Sequence, residues 1–336
     1  MVLKDITMWP EKLKEGLTLG ISFYESNQAR LPKKFKKIAF VGMGGSGIAG
    51  RILKTFFERK DGITVVIIDS PEIPSNIDAE TLAIVVTYSG NTWESVDALQ
   101  ILADKFIPTI VLSHGGRASE LAEHKNIPLG ILPQSATPRS ALGNFLGFMC
   151  GLFDSMSVLD GCKLVASFCK HADTYIPKFV DPSFFKEFLY AANGTDFFHV
   201  WGVSGSSAAF AYRAQTQFNE NSKIQAVFSA FPELTHNLVV GFSKCQLKPL
   251  VVFFYTDFLP THMHVAIQST CEILKEKGVV LYKAPIFGDN LEEQLFNIIL
   301  WSDFASCYLG KAREVEIDSV KIIEDLKDRY KRNGIK

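Results

Sequence analysis

Two strand-like segments of this chain end in similar turns that are rich in glycine and serine. The first reads Val41-Gly-Met-Gly-Gly-Ser46, and the second reads Trp201-Gly-Val-Ser-Gly-Ser206. They lie 160 residues apart, which is close to half of the 336-residue chain. A repeat at this distance predicts two copies of one folding unit, and a chain of this length suits two domains of about 150 residues each.

Short apolar runs alternate with helix-like stretches in both halves. The runs are Ile38–Gly42, Val65–Ile68, Leu82–Val86, Thr109–Leu112 and Leu129–Leu132, and then Phe198–Gly202, Ile224–Phe228, Leu250–Phe254 and Val279–Tyr282. Runs that are apolar throughout are typical of parallel strands covered by helices on both faces. We therefore predict an α/β fold of two tandem doubly wound domains, with mainly parallel sheets flanked by helices.

The predicted domain bounds are residues 1–155 and 156–312, followed by a tail of residues 313–336. The tail carries apolar residues at a helical spacing, from Val315 to Leu326, which predicts an amphipathic helix packing back on the body. The apolar stretch Ala141–Phe153 falls short of the ~18 residues that a membrane span needs, so it predicts a buried helix.

Composition excludes several classes of function. The 35 basic and 36 acidic residues give a net charge of −1, so we expect no general attraction to nucleic acid or membranes. The N-terminus has no pattern of a signal peptide, which favours the cytoplasm. None of the six cysteines forms a C-x-x-C pair, so we predict free thiols and no metal. The pair His262-x-His264 leaves a weak metal alternative.

Glycines at Gly42, Gly44 and Gly47 close the first strand and open a helix. Such a turn lets main-chain N–H groups approach an anion at the start of a helix. The spacing also fits G-x-G-x-x-G, and Asp69 ends the next strand 22 residues after Gly47. An NAD-dependent oxidoreductase is therefore one alternative.

A second phosphate signal, Thr87-Tyr-Ser-Gly-Asn-Thr92, follows the third strand and precedes a helix. Thr87, Ser89 and Thr92 can each donate a hydrogen bond to a phosphate oxygen. A dinucleotide-binding fold has no need of three hydroxyls here, and one helix N-cap explains only one of them. The cluster favours a phosphomonoester ligand.

These motifs together resemble the sugar isomerase (SIS) domain, and two such domains in tandem resemble the phosphoglucose isomerase superfamily. Three further motifs follow in order: Pro138-Arg139, Asn219-Glu220-Asn221 and Pro232-Glu-Leu-Thr-His236-Asn237. They are similar to those of the bifunctional phosphoglucose/phosphomannose isomerases. The resemblance covers nearly the whole chain, from about residue 35 to the C-terminal helix.

The resemblance implies a cofactor-independent aldose–ketose isomerase. Glucose 6-phosphate, and also mannose 6-phosphate, would interconvert with fructose 6-phosphate through ring opening and a cis-enediol(ate). The implied ligands of the substrate phosphate and sugar are Gly44, Gly45, Ser46, Thr87, Ser89 and Thr92. The implied assembly is a homodimer in which each active site is shared.

The same resemblance assigns four catalytic roles. Glu220 is the base that moves the proton between C1 and C2, and His236, donated by the neighbouring subunit, opens the ring. Arg139 stabilises the enediolate oxygens, and Lys327 in the tail contacts the sugar oxygens. Two alternatives stay open beside the oxidoreductase: a sugar-phosphate sensor without catalysis, and an isomerase of another sugar phosphate.

Overall fold

A computed structural model describes residues 2–59, 62–135, 137–244 and 249–334. The chain divides into two compact units. The first comprises Met8–Ala166 and the segment that begins at Val320, and the second comprises Val2–Thr7 and Ser167–Ser319. The domain bounds taken from the sequence, at residues 155 and 312, stay a prediction about folding units.

The secondary structure alternates between strands and helices along the described residues. The strands are β1 Lys37–Val41, β2 Thr64–Ile68, β3 Thr81–Thr87, β4 Thr109–Ser113, β5 Leu129–Ile131, β6 Phe197–Val203, β7 Gln225–Phe231, β8 Leu250–Phe253 and β9 Val280–Lys283. The α-helices are α1 Val2–Thr7, α2 Trp9–Asn27, α3 Gly44–Phe57, α4 Trp93–Asp104, α5 Gly116–His124, α6 Leu142–Ser155, α7 Gly161–Phe179, α8 Lys186–Ala192, α9 Ala208–Ser222, α10 Leu238–Gly241, α11 Thr261–Glu276, α12 Leu291–Ala312 and α13 Lys321–Arg332. Short 3-10 helices cover Pro138–Ala141, Pro182–Phe185, Glu233–His236 and Phe242–Lys244.

The first unit contains a five-stranded parallel sheet with the order β2-β1-β3-β4-β5. Its central strand β3 is buried along its whole length, as the uniformly apolar pattern predicts. The chain passes from β1 to β2 on one side and returns to β3 on the other. This reversal leaves a crevice at the carboxyl ends of β1 and β3, the usual ligand position in such sheets.

The second unit repeats this arrangement with four parallel strands in the order β7-β6-β8-β9. Its first strand β6 is central, and the two following strands flank it, as in the first sheet. The α/β fold class and the repeat of the folding unit are therefore confirmed.

Helix α6 is the predicted buried helix, since every residue from Leu142 to Phe153 is buried. It packs against α2, a helix that the sequence analysis did not predict. The two main chains approach so closely that a Cβ on Gly16 would lie 2.5 Å from the carbonyl oxygen of Asn144. A recurring apolar face along α2, including Trp9, Leu13 and Phe23, was the sequence signal for this helix.

Helices α9 and α12 pack together in the second unit around a buried ion pair. The Arg213 guanidinium donates from Nη2 to both carboxylate oxygens of Asp303, at 2.9 and 3.0 Å. The two side chains are 2% and 1% exposed. Losing either partner would leave a buried charge unpaired, which typically costs about 3–5 kcal/mol.

The C-terminal helix α13 forms as the apolar spacing predicts, and its packing back on the body stays a prediction. None of its residues is buried, and the Ile322 side chain is 82% exposed. Charged residues make up most of this helix. Whether the helix covers an active site in an assembly stays a prediction.

No helix in the described ranges is long and apolar enough to cross a membrane. Five cysteines are free thiols: Cys150, Cys162, Cys169, Cys271 and Cys307. The sixth, Cys245, lies outside the described residues.

Candidate active site

The glycine-rich turn lies at the crevice between β1 and β3. Gly44 and Gly45 form the first turn of α3, and Gly44 has a φ of +51°. Ser46 follows them and is 7% exposed. The first turn of a helix leaves main-chain N–H groups without intrahelical partners, so this turn can bind an anion.

Ser46 joins this turn to the loop that follows β3. Its Oγ accepts a hydrogen bond from the main-chain N–H of Tyr88 at 3.2 Å. Because the hydroxyl acts as the acceptor there, its own proton remains available to a phosphate oxygen. The structure therefore brings the two sequence-predicted phosphate motifs together.

The three hydroxyls of the second motif differ in accessibility. Ser89 is exposed, and its Oγ accepts from the N–H of Asn91 at 3.3 Å. Thr92 is half-buried and holds the N-cap position of α4, but its side chain makes no capping hydrogen bond. Thr87 is 1% exposed, and its Oγ1 has no hydrogen-bond partner. Ser89 and Thr92 are thus the two hydroxyls that are open to a ligand.

A neighbouring loop after β4 supports the Ser89 loop, and the sequence analysis missed it. Gly90 has a φ of +66°, and a Cβ there would lie 1.6 Å from the carbonyl oxygen of Gly115. The side chain of Asn91 accepts from the N–H of Arg117 at 3.2 Å. Only glycine fits at position 90, because any side chain would collide with the second loop.

Arg139 lies in the same unit, in the 3-10 helix Pro138–Ala141, and is 3% exposed. A Cβ on Gly45 would lie 3.3 Å from both N and Cα of Arg139, so its main chain abuts the glycine-rich turn. The side chain of Thr137 caps the segment by accepting from the N–H of Ser140 at 3.3 Å. A solvated arginine, the ordinary alternative, is excluded by this burial.

Lys12 on α2 supports the segment that carries Arg139, and sequence reasoning missed it. It is 8% exposed, and its Nζ donates to the carbonyl oxygen of Ser140 at 2.9 Å. Lysines are rarely so buried unless they are hydrogen-bonded or paired. The ammonium therefore holds the residue next to Arg139.

Tyr88 ties the second phosphate loop to the segment that leads to Arg139. Its ring stacks on His114, with centroids 5.4 Å apart, and its hydroxyl donates to the carbonyl oxygen of Ser135 at 3.2 Å. His114 Nδ1 lies 2.9 Å from the carbonyl oxygen of Leu132. The tyrosine of the motif is therefore structural, and the adjacent Ser89 is the exposed hydroxyl.

Glu220 lies near the end of α9, at the amino edge of the second sheet. The adjacent Asn219 fixes this position, since its Oδ1 accepts from the N–H of Ala226 near the start of β7 at 2.7 Å. The Glu220 residue is half-buried. Glu220 therefore lies at the edge of the sheet where β7 begins.

His236 lies at the opposite edge of the same sheet. It ends the 3-10 helix that follows the last residue of β7, and it is exposed. The strand between Glu220 and His236 has 7 residues and so spans about 20 Å. Within one chain the second sheet therefore holds these two residues at opposite ends.

Lys327 lies on the exposed helix α13.

Two features bear on the oxidoreductase and metal alternatives raised by the sequence. The carboxylate of Asp69, which a dinucleotide fold would use, is paired with Arg51 of α3. Among the described residues, no cluster of three or more His, Cys, Asp or Glu side chains could hold a metal, and this includes His262 and His264.

Comparison with known families assigns both units. Residues 33–141 match the SIS domain, and residues 188–330 match the bacterial phospho-glucose isomerase C-terminal SIS domain. A bifunctional phosphoglucose/phosphomannose isomerase of Thermoplasma acidophilum is 31% identical over 88% of this chain and 90% of its own length. This chain belongs to the bifunctional phosphoglucose/phosphomannose isomerase family. The resemblance stated from the motifs is confirmed.

Two further comparisons agree with this family. The bifunctional phosphoglucose/phosphomannose isomerase of Thermoplasma volcanium is 30% identical over 90% of this chain and 95% of its own length. The solved structure of tagatose-6-phosphate ketose/aldose isomerase from Escherichia coli superposes with a TM-score of 0.71 at 15% identity. It covers 95% of both chains, which shows a shared fold. Membership of an isomerase family decides against the oxidoreductase alternative.

Proposed function

We propose that this chain interconverts glucose 6-phosphate and mannose 6-phosphate with fructose 6-phosphate. The observation that supports this best is the pairing of two phosphate motifs at the crevice between β1 and β3. Ser46, Ser89 and Thr92 offer neutral hydroxyl donors there, together with main-chain N–H groups at the start of α3. Neutral hydroxyl and main-chain N–H donors suit a terminal phosphate.

The proposed chemistry moves one proton between C1 and C2 of the open-chain sugar. Glu220 takes the proton from one carbon and returns it to the other, so the carboxylate is regenerated in each cycle. Glucose and mannose 6-phosphates differ only at C2, and both give the same enediolate once that proton is lost. One base can therefore serve both sugars.

Arg139 and Lys327 are the proposed partners of the negative charge. A guanidinium stays protonated and can donate to two oxygens, which suits the enediolate at C1 and C2. The closeness of Arg139 to the glycine-rich turn supports this role. Lys327 would contact the sugar oxygens when α13 is ordered over a site.

The proposed active site takes Glu220 and His236 from different subunits. His236 would protonate the ring oxygen and accept the proton of the C1 hydroxyl, which a neutral imidazole can do near pH 7. Because the length of β7 separates the two residues within one chain, one catalytic centre needs them from two chains. We therefore propose a homodimer with shared sites.

The test is a coupled assay that follows fructose 6-phosphate to glucose 6-phosphate and, separately, to mannose 6-phosphate. We expect turnover on both in the presence of EDTA, because the proposed chemistry uses only side chains. Turnover on one sugar would narrow the substrate and keep the mechanism. Binding of the sugar phosphate without turnover on either would overturn the proposal in favour of a sensor or another substrate.

A further inference from the structure

The residue that ends helix α9, three positions after Glu220, has an unusual main-chain conformation. Lys223 has φ +53° and ψ +38°, which is the left-handed region. Glycine is the usual residue at this position of a helix end, because a side chain costs about 1–2 kcal/mol in that conformation. Among the described residues, four others with side chains also have a positive φ, so the role of Lys223 is inferred from the contacts of its side chain.

The ammonium of Lys223 joins two segments of the second unit. Its Nζ donates to the main-chain carbonyl oxygen of Glu220 at 2.5 Å and to that of Ser319 at 2.7 Å. Ser319 directly precedes Val320, the N-cap of α13 on which Lys327 lies. The Lys223 ammonium therefore binds both the main chain of Glu220, the proposed base, and the segment that leads to Lys327.

The other side of this helix end is fixed by α12. The Asn221 Nδ2 donates to the Oγ of Ser306 at 3.0 Å, and the Ser222 Oγ donates to the carbonyl oxygen of Ser306 at 2.7 Å. A Cβ on Gly310 would lie 2.5 Å from the carbonyl oxygen of Asn221, so the two main chains are in direct contact. Asn221 and Ser222 are buried. Arg313 Nε also donates to the carbonyl oxygen of Ser222 at 3.2 Å. Lys223 adds the contact with the segment that leads to α13.

We propose that Lys223 is a positioning residue for the proton transfer. It holds the main chain of Glu220 at a fixed distance from the segment that leads to α13. This inference rests on the proposed role of Glu220. Proton transfer requires the base within hydrogen-bond distance of the carbon-bound proton, and an error of about 1 Å can cost about 100-fold in rate. Lys223 itself contacts no reacting atom in this scheme.

The decisive substitution is Lys223→Gly, because it separates positioning from folding. Glycine favours the left-handed conformation, so the helix end should fold as well as before and Tm should not fall. Without the ammonium, we expect kcat to fall about 10- to 100-fold. KM should change less than about twofold, since the phosphate ligands lie on the first sheet. Lys223→Arg keeps a cation that can donate to both carbonyl groups, and it should restore most of the rate.

The matched control is Lys277→Gly at the end of α11, an exposed lysine at a helix end that carries no proposed catalytic residue. It should leave kcat unchanged. A Lys223→Gly protein with kcat within about twofold of the native value would overturn the proposal. A parallel fall of kcat and Tm would also overturn it, because that pattern indicates a purely structural role.

Hydrogen exchange distinguishes this inference from the proposed function. In Lys223→Gly, amides of residues 219–222 and 318–321 should exchange faster than in the native protein and in Lys223→Arg. Unchanged exchange in both segments would show that Lys223 does not join them. Absence of isomerisation in the native protein would refute the proposed function, whereas the exchange comparison would still decide whether Lys223 joins the two segments.

Discussion

The two sheets of this protein share a strand order but differ in the loops at their carboxyl edges. In the first sheet the loop after the third strand carries Ser89 and Thr92, and no acidic residue lies between Thr87 and Thr92. In the second sheet the corresponding loop follows β8 and contains Asp257. The Asp257 carboxylate accepts from Nε2 of Gln294 at 2.8 Å, and its N–H donates to Oε1 of the same residue at 2.8 Å.

The fold is therefore repeated, but the hydroxyl cluster of the first sheet is not. An anionic side chain at the second crevice disfavours a phosphate there. The second unit instead presents Glu220 at one edge of its sheet and His236 at the other. In the proposed function, the first half supplies the phosphate-binding groups and the second half supplies the proton-transfer groups, so the two halves can be tested separately.

The largest expected effect comes from the second half, at the proposed base. Glu220→Gln keeps the size and hydrogen bonding of the side chain but cannot accept a proton. We expect kcat to fall by about 10²–10⁴, while calorimetry shows nearly native affinity for glucose 6-phosphate. The control Glu276→Gln, on the exposed end of α11, should be fully active. Near-native turnover of Glu220→Gln would remove this residue from its role.

Subunit mixing tests whether the two edges of the second sheet serve different active sites. Glu220→Gln and His236→Ala chains should each be inactive alone. After exchange of subunits, half of the dimers are mixed, and each has one site with both residues intact. We therefore expect activity to return to about a quarter of the native value. No recovery, with exchange confirmed by mass spectrometry, would show that each site is built within one chain.

The first crevice should show a smaller effect, mainly on substrate binding. Thr92→Ala removes a hydroxyl donor to the phosphate, and a hydrogen bond to a charged group is worth about 1.5–3 kcal/mol. We expect KM to rise about 10-fold or more, with a lesser change in kcat. Thr261→Ala is the matched variant, because Thr261 opens α11 after β8 as Thr92 precedes α4 after β3. An equal rise of KM in Thr92→Ala and Thr261→Ala would contradict the proposed difference between the two sheets.

The sequence predicted most of this architecture because parallel strands and phosphate loops leave local signals. The apolar runs identified the nine strands of the described residues, and the hydroxyl cluster identified the crevice. Lys12 could not be found in this way, since its neighbour Ser140 lies 128 residues away and only packing of α2 on α6 brings them together. The exposure of α13 was also missed, because periodicity predicts an apolar face but not the surface that covers it.

Lys223 was missed for a different reason. A lysine after a helix is ordinary in sequence, and its left-handed conformation is visible only in the structure. The separation of Glu220 and His236 is likewise a property of topology. Helix α9 runs back to the amino edge of the sheet and ends near Glu220. Strand β7 then crosses to the carboxyl edge, where His236 follows it.

The smallest expected effect concerns stability in acid, and it should be confined to the second half. His171 on α7 is 1% exposed, and its Nε2 lies 3.1 Å from Oδ1 of Asn297. Burial lowers the pKa of His171 from 6.5 to about 4, although the hydrogen bond with Asn297 and the nearby Glu293 and Asp289 act in the opposite direction. The unfolded chain therefore binds a proton that the folded chain does not, so stability is complete above about pH 6.5 and is lost as the pH falls toward 4.

Between pH 7.5 and pH 5, this one group should reduce the free energy of unfolding of the second unit by about 2 kcal/mol. Native-state hydrogen exchange of the slowest amides measures the free energy of unfolding separately for each sheet. His171→Gln removes this titrating group, so the variant should lose less stability on acidification than the native protein. His124→Gln, at the exposed end of α5 in the first unit, should behave like the native protein. If His171→Gln and the native protein lose equal stability, the acid sensitivity of the second half has another source.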